Sequence, residues 1–365
     1  MQNPNSKSRL VVRMVMGTVA ALLISAFIPG CGVGYVVRSA YFQAELLHSR
    51  TPIHEVRESG TLSPKHHAAL DRIADVKSYG AQIGLKATEN YETIAADWNR
   101  TIWNMSACPS LSFQPVTWRF PIVGKVPYLG FFRREDADKW VDRMESQGHE
   151  VYVRTAGAYS TLGWFRDPVL PGMLEWDDQR LADTVLHELA HATLWIKGSV
   201  KFNESFASFV GETASFRYLE NRFGSDSDTY TNAIAFHQDL ARWRTILRSL
   251  YQDLDAVYSD PTKTDTEKLS ERTLLYSSLS ERVKSANLAH EERFLEAVEK
   301  GPWNNARLVQ YRTYNHKREW FQIVLDQEGG DLLGFIEAIG RITKNSDNPF
   351  EALEHAAQGP SEAVK

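Results

Sequence analysis

The chain has 365 residues, of which 43% are hydrophobic and 24% are charged, and its formal net charge is −5 at pH 7. This length is enough to bury a sizeable core, in one or two lobes around a cleft. Lys and Arg are scattered and form no basic run interleaved with aromatic residues, so we expect no nucleic-acid partner.

The first thirty residues are typical of a targeting segment. Three basic residues precede an apolar run from Met14 to Ile28, which has fifteen residues and is shorter than the roughly 20 that span a bilayer. The residues that end at Cys31 are similar to a bacterial lipobox, although Pro29 is unusual there. We predict a signal peptide over 1–30 and lipidation of Cys31, with an uncleaved signal anchor as the alternative.

Lipidation of Cys31 would anchor the mature chain to a membrane of the bacterial cell envelope. Gly32, rather than Asp, follows that cysteine, which in a Gram-negative bacterium favours the periplasmic face of the outer membrane. Cys108 is the only other cysteine, so no internal disulfide is expected. We predict that Cys108 is a buried structural thiol rather than a nucleophile.

Two helices are predicted at the start of the mature chain, over about 35–50 and 64–85. Pro52 ends the first, and Ser63 caps the second before Pro64. Aromatic and β-branched residues that partly alternate then predict a small sheet, interrupted by one helix. The sheet covers about 91–96, 112–119, 126–132 and 150–156, and the helix covers about 134–147.

From 177 onward the apolar periodicity is helical, notably through 206–219, 243–257 and 269–298. The order of elements predicts an α+β fold, in which a small mixed or antiparallel sheet is followed by a mainly helical lobe. We expect an N-terminal helical region over 31–90 and a domain over 91–365. Within that domain the sheet covers about 91–165 and the helices cover about 177–358.

One segment of the helical lobe has the spacing of a metal site. Residues from His187 to His191 read HELAH, and side chains four residues apart share a helix face, so both imidazoles can bind one ion. Glu188 points about 100° away around the helix, where it can accept a proton from a water molecule acidified by the metal. A hydrogen-bonded core pair is the alternative, but burying these groups beside Leu186 and Leu189 without a metal would be costly.

A third ligand is expected from a second helix, because a catalytic zinc commonly has three protein ligands and one open position. Glu204 is the candidate. Ala207 and Gly211 share its helix face and are small enough to let the two helices approach closely. Glu212 is the rival carboxylate, but it is rotated away from that face. We predict one Zn²⁺ ion bound by both histidines and Glu204.

These motifs resemble those of the gluzincin peptidases, in which the glutamate of an N-E-x-x-A motif is the third zinc ligand. More of the chain is similar to a family of bacterial lipoproteins described as predicted aminopeptidases. The similar parts are the lipobox, the GAYST segment from Gly157, the two metal motifs and the NNARL segment from Asn304. The resemblance covers nearly the whole mature chain and implies a zincin-like lobe with zinc-dependent aminopeptidase activity.

The GAYST segment is the candidate end of a strand that pairs with an extended peptide substrate, through Gly157, Ala158 and Tyr159. It lies thirty residues before the first motif histidine, about where alanyl-type aminopeptidases have a GAMEN motif. Ser160 stands where that motif has the glutamate that binds the substrate's α-amine. Glu175 could replace this glutamate, and a solvated loop carboxylate is the alternative.

A residue that stabilises the oxyanion is also expected, because gluzincins place a Tyr or His opposite the zinc. Tyr311, Tyr314 and His316 follow the NNARL segment. We predict that Tyr314 has this role, although aromatic packing on a surface helix would explain the same residues about as well.

Three functions fit the sequence. The first is a zinc aminopeptidase acting on peptides outside the cytoplasm, and the second is a zinc endopeptidase of the cell envelope. The third is a zinc-stabilised, non-catalytic binding lipoprotein. Glu188 argues against the third function, because a structural zinc has no need of a base beside its ligands. The sequence leaves the first two open.

Overall fold

The computed structural model describes residues 33–120, 124–156 and 166–358. The predicted signal peptide, Cys31 and the substrate-binding candidates Gly157, Ala158 and Tyr159 lie outside these residues, so what was inferred for them stays a prediction. No helix in the described part of the chain is long and apolar enough to cross a membrane.

The described residues are mostly helical, and we number their α-helices α1 to α14 in chain order. They are α1 (Val33–His48), α2 (Ile53–Glu58), α3 (Pro64–Gln82), α4 (Arg134–Glu145), α5 (Asp178–Thr193), α6 (Val200–Phe223), α7 (Asp228–Ser259), α8 (Asp265–Ser277), α9 (Leu279–Lys284), α10 (Glu291–Glu299), α11 (Asn305–Tyr314), α12 (Arg318–Gln327), α13 (Leu332–Thr343) and α14 (Pro349–Gln358). A short 3₁₀ helix, Pro171–Glu175, precedes α5.

The strands are short and antiparallel. They are β1 (Thr51–Pro52), β2 (Thr93–Ile94), β3 (Trp103–Pro109), β4 (Trp118–Phe120), β5 (Gly124–Val126), β6 (Leu129–Phe131) and β7 (His149–Thr155). Strand β1 pairs with β2 and β4 with β5, while the third sheet has the order β6-β3-β7. An α+β fold with antiparallel strands is confirmed, but the single sheet that we predicted is, in the described residues, three separate sheets.

The central strand β3 is missing from the sequence-based prediction. Met105 and Ala107 pack on Ala137 and Met144 of α4, whereas Ser106 on the other face donates a hydrogen bond to a carbonyl of α11. Trp103, Met105 and Ala107 alternate with the polar Asn104 and Ser106, so the pattern of a strand is present in β3, and the prediction is wrong to omit it. The strand predicted over 112–119 is largely a loop, and only its end enters β4.

Cys108, in β3, is buried, as its sequence context predicts. Its Sγ donates a hydrogen bond to the carbonyl oxygen of Ser112 at 3.0 Å. Burial, and to a lesser extent Glu150, raises the pKa of the thiol to about 12. A thiol that stays protonated in this way is a structural group rather than a nucleophile.

The largest hydrophobic core joins helices from both ends of the chain. Leu70 and Ile73 of α3 pack in the same core as Leu186 and Leu189 of α5 and Phe206 of α6. The helix with the HELAH segment is therefore supported by α3, which begins where Ser63 caps it through the backbone N–H of His66. The domain boundary expected near residue 90 stays a prediction.

A second core lies around α7. Trp243 and Leu250 of this helix pack with Leu279 of α9, Phe294 of α10 and Leu308 of α11. The helical periodicity that we identified over 269–298 corresponds to three helices, α8, α9 and α10. Helix α11 also contacts β3 and α6, so it links this second core to the helix that carries Glu204.

Candidate metal centre

Helix α5 carries both histidines of the HELAH segment. The side chain of Asp177 accepts a hydrogen bond from the backbone N–H of Arg180, which caps the first turn of the helix. One turn apart on the same helix, the imidazole rings of His187 and His191 have centroids 4.6 Å apart and are nearly perpendicular, at 86°. The helix therefore presents both rings to one point in space.

Helix α6 brings Glu204 to these histidines after a loop over 194–199. The side chain of Asn203 donates a hydrogen bond to the carbonyl oxygen of Ile196 at 2.8 Å and accepts one from the backbone N–H of the same residue at 2.9 Å. Asn203 is only 1% exposed. This reciprocal pair fixes the start of α6 relative to the loop, a role for the asparagine that the sequence reasoning did not assign.

The three side chains are close enough to share one metal ion. Nε2 of His187 lies 3.5 Å from Oε2 of Glu204, and Nε2 of His191 lies 3.4 Å from the same oxygen. One ligand atom from each residue lies within 4.8 Å of the others. Two atoms that are each about 2.0–2.1 Å from a tetrahedral ion are about 3.3 Å apart, so this donor set fits a zinc-sized ion.

The cluster has an excess of negative charge. Burial raises the pKa of Glu204, but His191 and His187 outweigh burial and the net pKa is lowered. Burial lowers the pKa of His187, yet Glu204, Glu188 and Asp183 outweigh it, so its pKa is raised. Without a metal, His187 therefore attracts a proton that balances the carboxylates, and a divalent cation would replace that charge.

Tyr128 orients the carboxylate of Glu204. Its hydroxyl donates a hydrogen bond to Oε1 at 3.0 Å, while the histidines face Oε2. Burial, followed by the charge of Glu204, raises the pKa of Tyr128 well above its ordinary value, so the phenol remains a donor. Tyr128 is not among the site residues predicted from the sequence, because it lies 76 residues from Glu204 and belongs to no recognisable motif.

Glu188 lies between the two histidines in sequence but outside the ligand cluster. Its Oε2 is buried and has no hydrogen-bond partner among the described residues, and the same holds for Nδ1 of His191. An unpartnered buried carboxylate oxygen is costly. A water molecule or substrate group would satisfy it, so this orphaned oxygen fits a residue that acts on a bound water.

Tyr314 is near the cluster. Its ring centroid lies 6.3 Å from that of His187, and its hydroxyl accepts a hydrogen bond from Arg154 at 3.0 Å. Burial raises the pKa of Tyr314, Glu204 raises it further and Arg154 lowers it, with a net upward shift. The phenol therefore keeps its proton and can donate it in a hydrogen bond.

The other two oxyanion candidates have different neighbours. Tyr311 packs near Trp243 in the second core, with ring centroids 6.5 Å apart. The ring of His316 lies 4.8 Å from that of Phe350. Tyr314 is thus the one of the three for which the structure shows a ring contact with a histidine of the cluster.

Two other carboxylates that the sequence offered, Glu212 as a metal ligand and Glu175 as a partner of the substrate's α-amine, have other partners in the structure. Glu212 forms ion pairs with Arg244 and Arg318 and is not part of the group that could hold a metal. Glu175 is exposed, forms an ion pair with Lys65 at 2.5 Å and lies 2.7 Å from Nε2 of His66. A carboxylate neutralised in this way is a poor candidate for the α-amine of a substrate.

The described residues thus define a mostly helical α+β protein with a two-histidine, one-glutamate cluster that could bind a metal ion. Residues 34–352 match the model of the family described as "Putative aminopeptidase". The match covers most of the chain, and the chain belongs to this family. No curated protein and no solved structure matches it.

Proposed function

We propose that the chain is a zinc-dependent peptidase of the gluzincin type, and specifically an aminopeptidase that acts on peptides outside the cytoplasm. Family membership supports the peptidase class, and the cluster of His187, His191 and Glu204 supports a single metal ion. The observation that carries the proposal is the orphaned carboxylate oxygen of Glu188, buried beside this cluster.

The metal ion held by the cluster and the neighbouring Glu188 would divide the chemistry between them. When bound, the metal ion would polarise the scissile carbonyl and acidify a water molecule. Glu188 would take the proton of that water and pass it to the leaving amine. Because its Oε2 has no partner among the described residues, no hydrogen bond there has to break before the proton arrives.

Tyr314 would stabilise the developing oxyanion. Its hydroxyl oxygen accepts a hydrogen bond from Arg154, so the hydroxyl proton is available to the substrate's carbonyl oxygen. The positive charge of Arg154 strengthens this donor. Such preorganised donors typically contribute a factor of about 10²–10³ in rate.

Two further functions compete with this one. An endopeptidase of the cell envelope would use the same centre, and the family description favours the aminopeptidase. A zinc-stabilised binding lipoprotein would need no base, and the buried, unpartnered oxygen of Glu188 would only destabilise it.

The place of action is also a proposal, supported by the sequence pattern of the first residues. We propose that the signal peptide is removed and that lipidated Cys31 anchors the chain to the periplasmic face of the outer membrane. Substrates would then be peptides in the cell envelope.

The proposed function is tested by metal analysis and by digestion of a mixed peptide library with and without a chelator. We expect one zinc per chain and removal of single N-terminal residues that stops when zinc is withdrawn. Internal cleavage would support the endopeptidase instead.

The decisive variant is Glu188→Gln. We expect it to keep zinc and thermal stability but to lose turnover by at least about 10⁴-fold, because the same residue would orient the water and take its proton. Glu220→Gln, an exposed carboxylate on α6, is the control and should be fully active. Unchanged turnover in Glu188→Gln refutes the mechanism, and firm zinc binding without any cleavage by the parent favours the binding lipoprotein.

A further inference from the structure

A cavity of about 250 Å³, partly open to solvent, adjoins the elements that carry the metal centre. Two of its lining residues, Pro127 and Thr313, directly precede Tyr128 and Tyr314 in the chain. A third, Lys201, lies one turn before Glu204 on α6. The cavity and the metal centre therefore share three structural elements, but none of the metal-ligand candidates lines the cavity.

Positive charge dominates the walls of this cavity. Lys125, Lys201 and Arg312 line it, and we call it the basic pocket. No acidic residue is among its lining residues, and in the described part of the chain none of the three cations forms an ion pair with a carboxylate. The guanidinium of Arg312 is held over the ring of Tyr251, 3.4 Å from the centroid, which fixes its position without neutralising it.

Two of the cations that line the basic pocket, Lys201 and Arg312, are close enough to repel each other, and Lys317 lies nearby. Burial, and then Arg312 and Lys317, lowers the pKa of Lys201 to about 8. Burial, and then Lys201, Arg312 and Lys317, lowers the pKa of His316 to about 3. An anion placed between these groups would relieve the repulsion.

The start of α6 adds to the positive potential. Gly198, Val200 and Lys201 line the basic pocket at this helix end. Ser199 makes no side-chain cap, and the first turn contains no acidic residue. The free N–H groups and the positive end of the helix dipole are therefore uncompensated by side chains of the first turn.

We propose that the basic pocket binds a carboxylate of the peptide substrate, either its C-terminal carboxylate or that of an acidic side chain. This inference rests on the proposed peptidase function. The α-amine of a peptide is positively charged, so the cations of the pocket repel that end and attract the other. The carbon atoms next to the carboxylate would contact the apolar part of the wall, formed by Phe113, Val200 and Val309.

The size of the basic pocket limits what can enter it. Its volume of about 250 Å³ lies below the roughly 300–1,000 Å³ of pockets that enclose a drug-sized ligand. It can therefore receive one end of a peptide rather than a folded segment. The substrates implied are short peptides with a free carboxylate.

The test measures binding rather than turnover, using the zinc-loaded Glu188→Gln variant of the mature chain and isothermal titration calorimetry. The probes are trialanine with a free C-terminal carboxylate, trialanine amide, and Ala-Ala-Asp amide. We expect the free acid to bind about tenfold more tightly than trialanine amide, and this preference to weaken with added salt.

Two substitutions in the pocket should remove this preference. Lys201→Met and Lys125→Met lie on different elements, so misfolding of one leaves the other informative. Lys197→Met, an exposed lysine outside the pocket, is the matched control and should keep the preference. Tight binding of Ala-Ala-Asp amide would identify an acidic side chain as the source of the carboxylate, and its weak binding would identify the C-terminus.

Equal binding of the three peptides, no detectable binding of either peptide that carries a carboxylate, or a preference that survives both lysine substitutions overturns the inference. These outcomes are separate from failure of the proposed function. If the variant prefers peptides with a carboxylate but the parent protein shows no zinc-dependent cleavage, the proposed role of the basic pocket stands and the proposed peptidase mechanism is wrong.

Discussion

Tyr128 and Tyr314 both lie near the metal centre, but their hydroxyl groups have different partners. Tyr128 donates to the carboxylate of Glu204, whereas Tyr314 accepts from Arg154 and has its proton available. The first geometry orients a metal ligand, and the second offers a donor to a reacting group. Removing one oxygen atom from each side chain should therefore have different consequences.

Tyr128→Phe should weaken zinc binding by about 10–100-fold, because a lost hydrogen bond to a ligating carboxylate leaves that ligand less well oriented. At saturating zinc its kcat should stay near that of the parent. The measurements are zinc affinity by competition with a chelating dye, and peptide turnover across a zinc titration.

Tyr314→Phe is the complementary variant. We expect its zinc affinity to be unchanged and its kcat to fall by about 10²–10³-fold, since it would lose the donor to the oxyanion. If Tyr314→Phe turns over normally, or if Tyr128→Phe binds zinc as tightly as the parent, the corresponding role is wrong.

At the scale of elements, the metal centre depends on the close approach of α5 and α6, and Gly211 of α6 lies in close contact with α5. A Cβ atom at position 211 would lie 2.8 Å from the backbone oxygen and from Oδ1 of Asp183, and 3.1 Å from Cβ of His187. These distances are shorter than normal contacts, so the helices could not keep their spacing.

Gly211→Ala should destabilise the protein by about 1–3 kcal/mol and weaken zinc binding as His187 is displaced. Gly340→Ala is the control, because it lies in α13 and its Cβ would meet nothing within 4 Å. There the gain in helix propensity should stabilise the protein by up to about 1 kcal/mol. The free energy of unfolding is measured with urea, and the zinc affinity by titration, for both variants. Equal stability and equal zinc affinity of the two variants would show that the spacing of α5 and α6 at Gly211 is not critical.

Local patterns in the sequence were enough to predict the helices around the metal centre. Ser63 and Pro64 mark the start of α3, and the spacing of His187 and His191 placed both on one helix face. The strands were harder, because they are short: the alternation in β3 runs only from Trp103 to Ala107 and is a weak signal by itself. Tyr128 and Arg154 could not be predicted, since only the tertiary fold brings them to Glu204 and Tyr314.

At the scale of the whole molecule, the N-terminus should decide where the chain acts. Cys31→Ser should abolish lipidation, so the protein should leave the membrane fraction or keep its signal peptide, because acyl chains are what anchor such a chain. Fractionation of cells and the mass of the mature protein test this. Cys108→Ser is the control and should fractionate as the parent does. An unaltered mass and location for Cys31→Ser would contradict lipidation.

The helices of the two cores are joined by a buried charge cluster at Glu212. This residue of α6 forms ion pairs with Arg244 of α7 and with Arg318 of α12, at 3.2 Å for the second, and lies 2.8 Å from Nδ1 of His237. Burial raises the pKa of Glu212, but Arg318, His237 and Arg244 outweigh it and lower the pKa to about 2. The carboxylate stays charged in the folded protein at pH values at which it would be protonated in the unfolded chain.

This difference predicts how stability depends on pH. A folded-state pKa of about 2 lies below the ordinary value of 4.5, so the contribution of Glu212 is fully present above about pH 4.5 and is lost as the pH falls toward 2. Its size is on the order of 3 kcal/mol, given about 1.4 kcal/mol for each pKa unit. Glu212→Gln should be strongly destabilised at pH 7, because Arg244 and Arg318 lose their counter-charge.

The free energy of unfolding of the parent and of Glu212→Gln, measured with urea from pH 7 to pH 3, should differ most at neutral pH and converge as the pH falls. Carboxylates that do not interact with Glu212 titrate alike in both proteins and cancel in the comparison. Glu337→Gln, an exposed carboxylate 63% accessible and 3.8 Å from Arg341, is the control, and it should change stability little at any pH. A difference between parent and Glu212→Gln that is constant with pH would mean that Glu212 stabilises the helices by packing rather than by its charge.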